Sequence, residues 1–286
     1  DTRVEIEVSS VYLQDEMAIT DHLDVVLGAR FDQFEIDVFN VPANDARSKQ
    51  DEEISPRLGV VYKPVENMSL YISYSESFLP RSGEQFANIN GSKGQLDADT
   101  FSNSEVGFKW DLSPNLSFTA AAFEIEQESP QVADNDPSTL DVVESEIDGF
   151  EIQLQGQVNE AWYLSAAYSY LDGEQSDRLG GNGLRPRELP ENMFSLWNFV
   201  ELTPSIGVGI GLTYQDESYI NNSNTARLPS YTRVDAALYY EWSNDLRIQL
   251  NLQNIGDTNY FPSSHSTHQA TVGAPFNARL AITKDF

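Results

Sequence analysis

Apolar and polar residues alternate with a period of two along three segments near the C-terminal end of the chain, residues 232–242, 246–253 and 276–286. In each segment leucine, isoleucine, alanine or aromatic residues share one side, while arginine, asparagine, glutamine or acidic residues share the other. This period is typical of β-strands with one apolar and one polar face. Strands of about ten residues or longer can cross a bilayer at a tilt. The pattern therefore favours a transmembrane β-barrel over a soluble sheet.

The same alternation predicts about thirteen strands along the whole chain. Their approximate spans are 4–19, 23–39, 52–63, 68–79, 101–112, 115–128, 143–158, 161–173, 191–202, 205–219, 230–242, 245–260 and 275–286. Connections after the odd-numbered strands are short and carry Pro, Asn, Asp or Ser, which tolerate turn geometry. Connections after the even-numbered strands are long and polar, at 40–51, 80–100, 129–142, 174–190, 220–229 and 261–274. This alternation predicts an all-β, antiparallel up-and-down barrel with periplasmic turns and extracellular loops.

Composition narrows the class of protein without deciding it. The mean hydropathy of −0.41 suits a barrel, because residues facing the lumen of a barrel are polar. The sequence contains no run of about 18 apolar residues, so we expect no transmembrane helix. The absence of cysteine excludes disulfides, zinc–thiolate sites and cysteine nucleophiles. A net charge of −28 argues against nucleic acid as a partner.

Aromatic residues toward the predicted strand ends fit the interfacial girdles of membrane barrels. These residues are Tyr62, Tyr71, Tyr74, Trp110, Trp162, Tyr168, Tyr170, Trp197, Tyr214, Tyr240 and Trp242. A soluble β-sandwich also packs aromatic residues, so the girdle alone leaves both classes open. Strand length favours the barrel, since strands of soluble proteins average about five to six residues.

Three C-terminal runs resemble the last strands of a known family. The runs LPSYTRVDAALYYEW, LRIQLNLQNIGDTNYF and FNARLAITKDF look like the end of TonB-dependent outer-membrane receptors, in the siderophore-receptor branch. Segments 12–34, 54–83, 101–127 and 147–158 resemble successive hairpins of that family. The resemblance implies a barrel of about 22 strands with an N-terminal plug domain. With about thirteen strands and no recognisable plug, we expect residues 1–286 to be the C-terminal portion of such a barrel, with the plug domain absent.

The resemblance also implies a function, a location and partners. We expect an outer-membrane receptor and transporter for ferric siderophores, energised through TonB by way of the missing N-terminal region. Further expected partners are outer-membrane lipid and the barrel-assembly machinery. The resemblance assigns Phe286, an aromatic residue ending an amphipathic strand, as the signal read by that machinery; lipid contact is the alternative role.

Ligand contacts are expected on extracellular loops and the upper lumen. Aromatic faces could pack on a planar chelate, and an arginine could meet its negative charge. The candidates are Phe78, Arg81, Phe86, Tyr219, Tyr260 and Phe261. Girdle or loop packing is the competing role for these residues.

Histidine is scarce, and two of the three histidines lie close together in the last long loop as His265-Ser-Thr-His268. An i, i+3 pair could contact ligand, or bind a metal if carboxylates joined it. Two solvated histidines are the simpler interpretation, so we expect no metal site and no cofactor.

No serine–histidine–aspartate arrangement is suggested by the spacing, which predicts a receptor without enzymatic activity. Two alternatives remain open. A general diffusion porin would need an even strand number and a constriction loop with opposed charges. A surface-exposed β-protein used for adhesion would fold without detergent.

Overall fold

The computed structural model describes residues 2–80, 96–132, 140–176, 183–243 and 245–285. The strands are β1 (Thr2–Thr20), β2 (Leu23–Asn40), β3 (Asp45–Val65), β4 (Met68–Leu79), β5 (Asp99–Ser113), β6 (Leu116–Val132), β7 (Leu140–Asn159), β8 (Trp162–Ser176), β9 (Asn192–Thr203), β10 (Ile206–Gln215), β11 (Ser218–Tyr219), β12 (Arg227–Leu228), β13 (Tyr231–Ser243), β14 (Leu246–Gln253), β15 (Ser263–Ser264), β16 (Ala270–Thr271) and β17 (Asn277–Lys284). A 3₁₀ turn covers Ser266–His268. Within these ranges no helix is long and apolar enough to span a bilayer.

Thirteen of the strands form one antiparallel sheet, in which every neighbour follows in chain order: β1 to β10, then β13, β14 and β17. The pairs β11–β12 and β15–β16 are small separate hairpins inside the connections. Among the described residues β1 and β17 each pair on one side only, so the sheet is open. The predicted antiparallel meander of about thirteen strands is confirmed.

Several predicted boundaries were wrong. The connection predicted at 40–51 is a tight turn at 41–44, because β2 and β3 stay paired up to Asn40 and Asp45. The strand predicted at 205–219 ends at Gln215, and the strand predicted at 245–260 ends at Gln253. The hairpins β11–β12 and β15–β16 were not predicted at all, since two-residue strands leave too short a pattern to detect.

The register places the apolar residues of successive strands in continuous rows, because directly paired residues share one face of a sheet. One row runs through Val25, Val60, Ile72, Val106, Ala122, Phe150 and Tyr170. Ile72 and Val106 remain 57% and 54% exposed within the chain. The face of the sheet that carries this row is called the apolar face. The opposite face, called the polar face, carries Arg30, Arg57, Lys63, Lys109, Arg233, Arg247 and Arg279.

The assignment of apolar and polar residues to the two faces is exchanged partway along the longer strands, toward the end of the sheet at which β2 finishes. This end is called the top of the sheet. On the apolar face of β2 the odd positions are apolar from Leu23 to Phe31 and become Gln, Glu and Asp beyond it. On its polar face the charged Arg30 and Asp32 give way to apolar residues, among which Ile36 is fully buried. Nine residues at ~3.3 Å each and a tilt of ~40° cover about 23 Å, close to the lipid-facing band of outer-membrane barrels. This band, with Phe31 at its upper edge, is called the apolar band.

Carboxylates occupy the apolar face directly above the apolar band on β6 to β8. The row Glu124, Asp148, Asp172 and the row Glu126, Glu146, Glu174 follow immediately after the row that contains Phe150 and Tyr170. These six side chains are called the acidic belt. Carboxylate oxygens of Glu124, Glu146 and Asp148 lie within 4.8 Å of one another. Repulsion from Asp148, followed by desolvation, raises the pKa of Glu146 above its ordinary value.

Candidate functional site

Three connections at one end of the sheet pack together into a single loop cluster, which consists of the described residues 183–191, 216–230 and 254–276. Arg185 N donates to Asn224 Oδ1 at 2.9 Å, and Asn224 Nδ2 returns a bond to Arg185 O at 2.8 Å. Gln175 Nε2 donates to Asn222 O at 2.7 Å, which ties the top of β8 to the same connection. Asn224 has φ of 53°, a left-handed conformation that Asn tolerates. These reciprocal bonds fix two connections against each other.

Glu188 joins the third connection to the other two. Its backbone N donates to Tyr219 O at 2.8 Å, while its Oε1 accepts from Ser264 N at 2.5 Å. Glu188 itself has φ of 57°. One residue thus bridges the connections after β8, β10 and β14. Sequence reasoning missed Glu188, because a single acidic residue in a polar loop gives no signal of its own.

The most exposed aromatic–cation pair of the cluster is Tyr219 with Arg227. The guanidinium carbon of Arg227 lies 4.3 Å from the centre of the Tyr219 ring. Arg227 also donates to the Tyr219 hydroxyl and to the Glu217 carboxylate. The bond to Tyr219, with a further contribution from Glu217, raises the pKa of Arg227. The pair borders a cavity of 320 Å³ that Arg185 also lines. Glu191, Asp216 and Glu217 line the same cavity, and Arg185 and Arg227 are each paired with a carboxylate. An aromatic face and two guanidinium groups therefore meet at one opening, and an anionic planar ligand would bind there by replacing these carboxylates as partners of the guanidinium groups.

Tyr260, by contrast, is only 6% exposed and serves to hold the last connection. Its ring lies 4.7 Å from the ring of Tyr231, and its hydroxyl accepts from Arg233 Nη1 at 3.2 Å. A Cβ added at Gly273 would lie 2.2 Å from Tyr260 Cζ, so only glycine allows this close approach. The Tyr260 ring is therefore buried against Tyr231, Arg233 and Gly273, whereas the neighbouring Phe261 is only half-buried.

Beneath Tyr260, the buried Asn254 closes the base of the loop. Its backbone N donates to Asp235 Oδ1 at 2.8 Å. Its Nδ2 donates to the carbonyl oxygens of Thr258 and Ala274 at 2.9 and 3.0 Å, and its Oδ1 accepts from Thr258 N at 2.9 Å. The side chain is 1% exposed and φ is 50°. Buried polar groups are nearly always paired in this way, so Asn254 determines where β14 ends and the loop begins.

The two loop histidines lie side by side. His265 Nδ1 and His268 Nε2 are 3.1 Å apart, and both side chains are exposed.

The remaining candidates are not gathered with the loop cluster. Phe78 makes an edge-to-face contact with Phe34 at 6.2 Å, on β4, which five strands of the sheet separate from β10. Arg81, Phe86 and Phe286 lie outside the described residues.

Two aromatic residues expected in the girdle lie on the polar face instead. Tyr71 covers Gly107 and donates to Glu105, with Lys109 Nζ 5.4 Å from its ring centre. Trp197 lies over glycines of β10, so that a Cβ at Gly209 would be 2.4 Å from its Cζ2. The other nine girdle candidates fall on the apolar face by register. Tyr71 is the fourth residue of β4 and Trp197 is the sixth residue of β9, and the parity of each strand places both side chains on the polar face.

A sheet of long antiparallel strands with an exposed apolar band, a charged opposite face and a structured loop cluster defines the class of transmembrane β-barrel proteins. Residues 1–255 match the family described as TonB dependent receptor-like, beta-barrel. The chain belongs to this family, whose members are β-barrel proteins of the outer membrane. The family and location expected from the C-terminal runs are confirmed.

Individual relatives agree with the family. The chain is 33% identical over 300 residues to a probable TonB-dependent siderophore receptor, PiuA, of Acinetobacter baumannii, covering 97% of this chain and 40% of the relative. It is 30% identical over 291 residues to the ferrioxamine receptor of Yersinia enterocolitica, covering 98% of this chain and 40% of the relative. The crystal structure of the A. baumannii siderophore receptor PiuA superposes with a TM-score of 0.91 at 32% identity, over 99% of this chain and 44% of that one. The chain thus spans about two fifths of the length of these relatives.

Proposed function

We propose that this chain forms the wall and the capture loops of an outer-membrane receptor that imports ferric siderophores with energy supplied through TonB. The similarity to the siderophore receptor PiuA over 97% of the chain carries the proposal. The loop cluster adds physical support, because it presents an aromatic ring and guanidinium groups at one opening.

Capture and passage in this account need no bond to be made or broken by the protein, so the function is transport and not catalysis. Tyr219 offers a flat face to a chelate, while Arg227 and Arg185 bind its negative charge in place of the carboxylates of Glu217 and Asp172. Tyr260 holds the loop that carries Phe261. Further candidate contacts are Phe78, Arg81, Phe86, Phe261, His265 and His268. The ferric chelate is the cargo, and the proposal includes no cofactor.

The domain assignment belongs to the same proposal. Residues 1–286 would form the C-terminal portion of the receptor barrel, with a plug domain and the TonB contact supplied by a further part of the protein. The open sheet and the share of the relatives that the chain spans support this arrangement. Lipid would cover the apolar band, and the barrel-assembly machinery would read Phe286.

Uptake of radioactive iron from ferric siderophores by iron-starved cells tests the proposal. Cells that produce the receptor should accumulate iron from at least one siderophore class, and removal of TonB should abolish the uptake. Uptake that persists without TonB would contradict the proposal in favour of a diffusion porin.

A matched pair of arginine variants tests the loop cluster. Arg227 and Arg247 are each about half exposed and each bonded to a carboxylate, Glu217 and Asp285 respectively, but Arg247 lies at the opposite end of the strands. Arg227→Ala should weaken ligand binding about tenfold, in line with the ~1–2 kcal/mol expected for a charge-assisted contact. Arg247→Ala should leave binding unchanged. Equal affinities for both variants and the unmodified receptor would remove Arg227 from the site.

A further inference from the structure

The loop histidines are held close together by the turn that carries them. His265 precedes and His268 ends the 3₁₀ turn Ser266–His268. Side chains at i and i+3 of a 3₁₀ turn eclipse each other, because the turn has three residues. The two rings therefore lie edge to face, with their centres 5.0 Å apart.

The supporting backbone holds this turn in place. The hairpin β15–β16 pairs Ser263 with Thr271 on either side of the turn. His265 N donates to Gln269 O at 2.7 Å, which links the two ends of the turn. The bond from Ser264 N to Glu188 fixes the hairpin to the rest of the loop cluster. The histidines are thus carried by a bonded element.

The distance between the two facing ring nitrogens matches the distance between two adjacent ligand atoms of one metal ion. His265 Nδ1 and His268 Nε2 are 3.1 Å apart. Two imidazole ligands at about 2.0–2.1 Å from a metal stand about 3.3 Å apart in a tetrahedral site and about 2.9 Å apart when adjacent in a square-planar site. The observed separation falls between these values, so the spacing of the two nitrogens suits a shared cation once the rings turn to aim both lone pairs at it.

We propose that His265 and His268 form a binding site for a late first-row divalent cation at the tip of the last extracellular loop. The order of affinities for such ligands places Cu²⁺ above Zn²⁺ and Ni²⁺. Without the cation one ring donates an N–H hydrogen bond to the nitrogen of the other. With the cation that ring carries its proton on its remaining nitrogen, so both facing nitrogens present lone pairs. The other coordination positions stay open to water or to a third donor. The net charge of −28 favours the approach of cations.

The test uses the whole protein, purified in detergent without a histidine tag and freed of metal. Addition of Cu²⁺ alone, followed by electron paramagnetic resonance, reports whether nitrogen atoms coordinate the ion, and competition with a chromophoric chelator gives its affinity. We expect one ion with two nitrogen ligands. His265→Ala and His268→Ala should each weaken binding at least tenfold, and the double variant should lose the nitrogen signal.

The third histidine supplies a matched control. His22 lies at the turn between β1 and β2, where its Nδ1 is 2.9 Å from Lys63 O. His22→Ala should bind Cu²⁺ with unchanged affinity and an unchanged spectrum. A spectrum with oxygen ligands only, or a double variant that keeps a nitrogen-coordinated ion, would overturn the proposal. Failure of this proposal and failure of the proposed function are distinguishable, because Cu²⁺ binding is measured in the absence of siderophore.

Discussion

Replacement of Asn254 by alanine should release the last extracellular loop while leaving the sheet intact. The substitution removes three side-chain hydrogen bonds, two to the carbonyl oxygens of Thr258 and Ala274 and one from Thr258 N. Each is worth ~1 kcal/mol at a buried site. Alanine at φ of 50° adds ~1 kcal/mol, since the left-handed region is unfavourable for it. The free energy of local opening should fall by about 4 kcal/mol.

Hydrogen exchange followed by mass spectrometry measures this change directly. About 4 kcal/mol corresponds to nearly three orders of magnitude in exchange rate for amides between β14 and β17. The amides of Thr258 and Gly273 are the most informative, because both are bonded within the loop. The control is Asn251→Ala on the polar face, where the lost bond comes from Gln249 Nε2 and no loop residue takes part.

Unchanged exchange of residues 255–276 in Asn254→Ala would refute the reasoning, as would equal acceleration in the Asn251→Ala control. Faster exchange spread through β13, β14 and β17 would also contradict it, since the account confines the effect to the loop.

Three further predictions concern the two faces of the sheet. Gly209→Ala should push Trp197 away from the polar face, seen as increased quenching of tryptophan fluorescence by aqueous iodide; unchanged quenching would contradict the close packing. Glu146→Gln should raise the thermal unfolding midpoint at pH 7. The pKa of Glu146 is raised chiefly by Asp148, so the folded protein loses stability as the pH rises and Glu146 ionises, whereas glutamine carries no charge. The gain should vanish below about pH 4, and a pH-independent gain would count against this cause. Ile152→Arg within the apolar band should cost about 2–4 kcal/mol of folding stability in lipid vesicles, whereas Glu146→Arg above the band should not; equal costs would argue against the assigned lipid boundary.

The alternation of apolar and polar residues predicted most of the fold correctly, because a strand with lipid on one side must be apolar at every second residue. The segment 232–242 shows this, since its predicted faces agree with the register between β10, β13 and β14. Predicted boundaries were wrong in both directions. The strand predicted at 52–63 begins earlier, at Asp45, because β3 stays paired with β2 beyond the apolar band. The strands predicted at 205–219 and 245–260 end earlier, at Gln215 and Gln253, where the chain leaves the main sheet. The strand predicted at 23–39 agrees with β2, although its faces are exchanged beyond Phe31.

The site was less predictable than the fold, because its contacts join residues far apart in the chain. Tyr219 could be proposed from its residue type and its place at the end of a predicted strand, but its partner Arg227 depends on the β11–β12 hairpin. Tyr260 has the same residue type and also ends a predicted strand, yet Asn254 and Gly273 bring it into the base of the loop. Residue type alone does not separate an exposed ring from a buried one.

Site-directed spin labelling along β7 tests most directly whether lipid covers the apolar face. The chain has no cysteine, so single cysteines introduced from 144 to 158 can be labelled one at a time. In lipid vesicles, accessibility to oxygen should peak at Phe150, Ile152 and Leu154 and fall at the residues between them. At Glu146 and Asp148 a water-soluble nickel complex should become the better relaxant. Low oxygen accessibility at all three apolar positions, as in a packed protein core, would contradict the account.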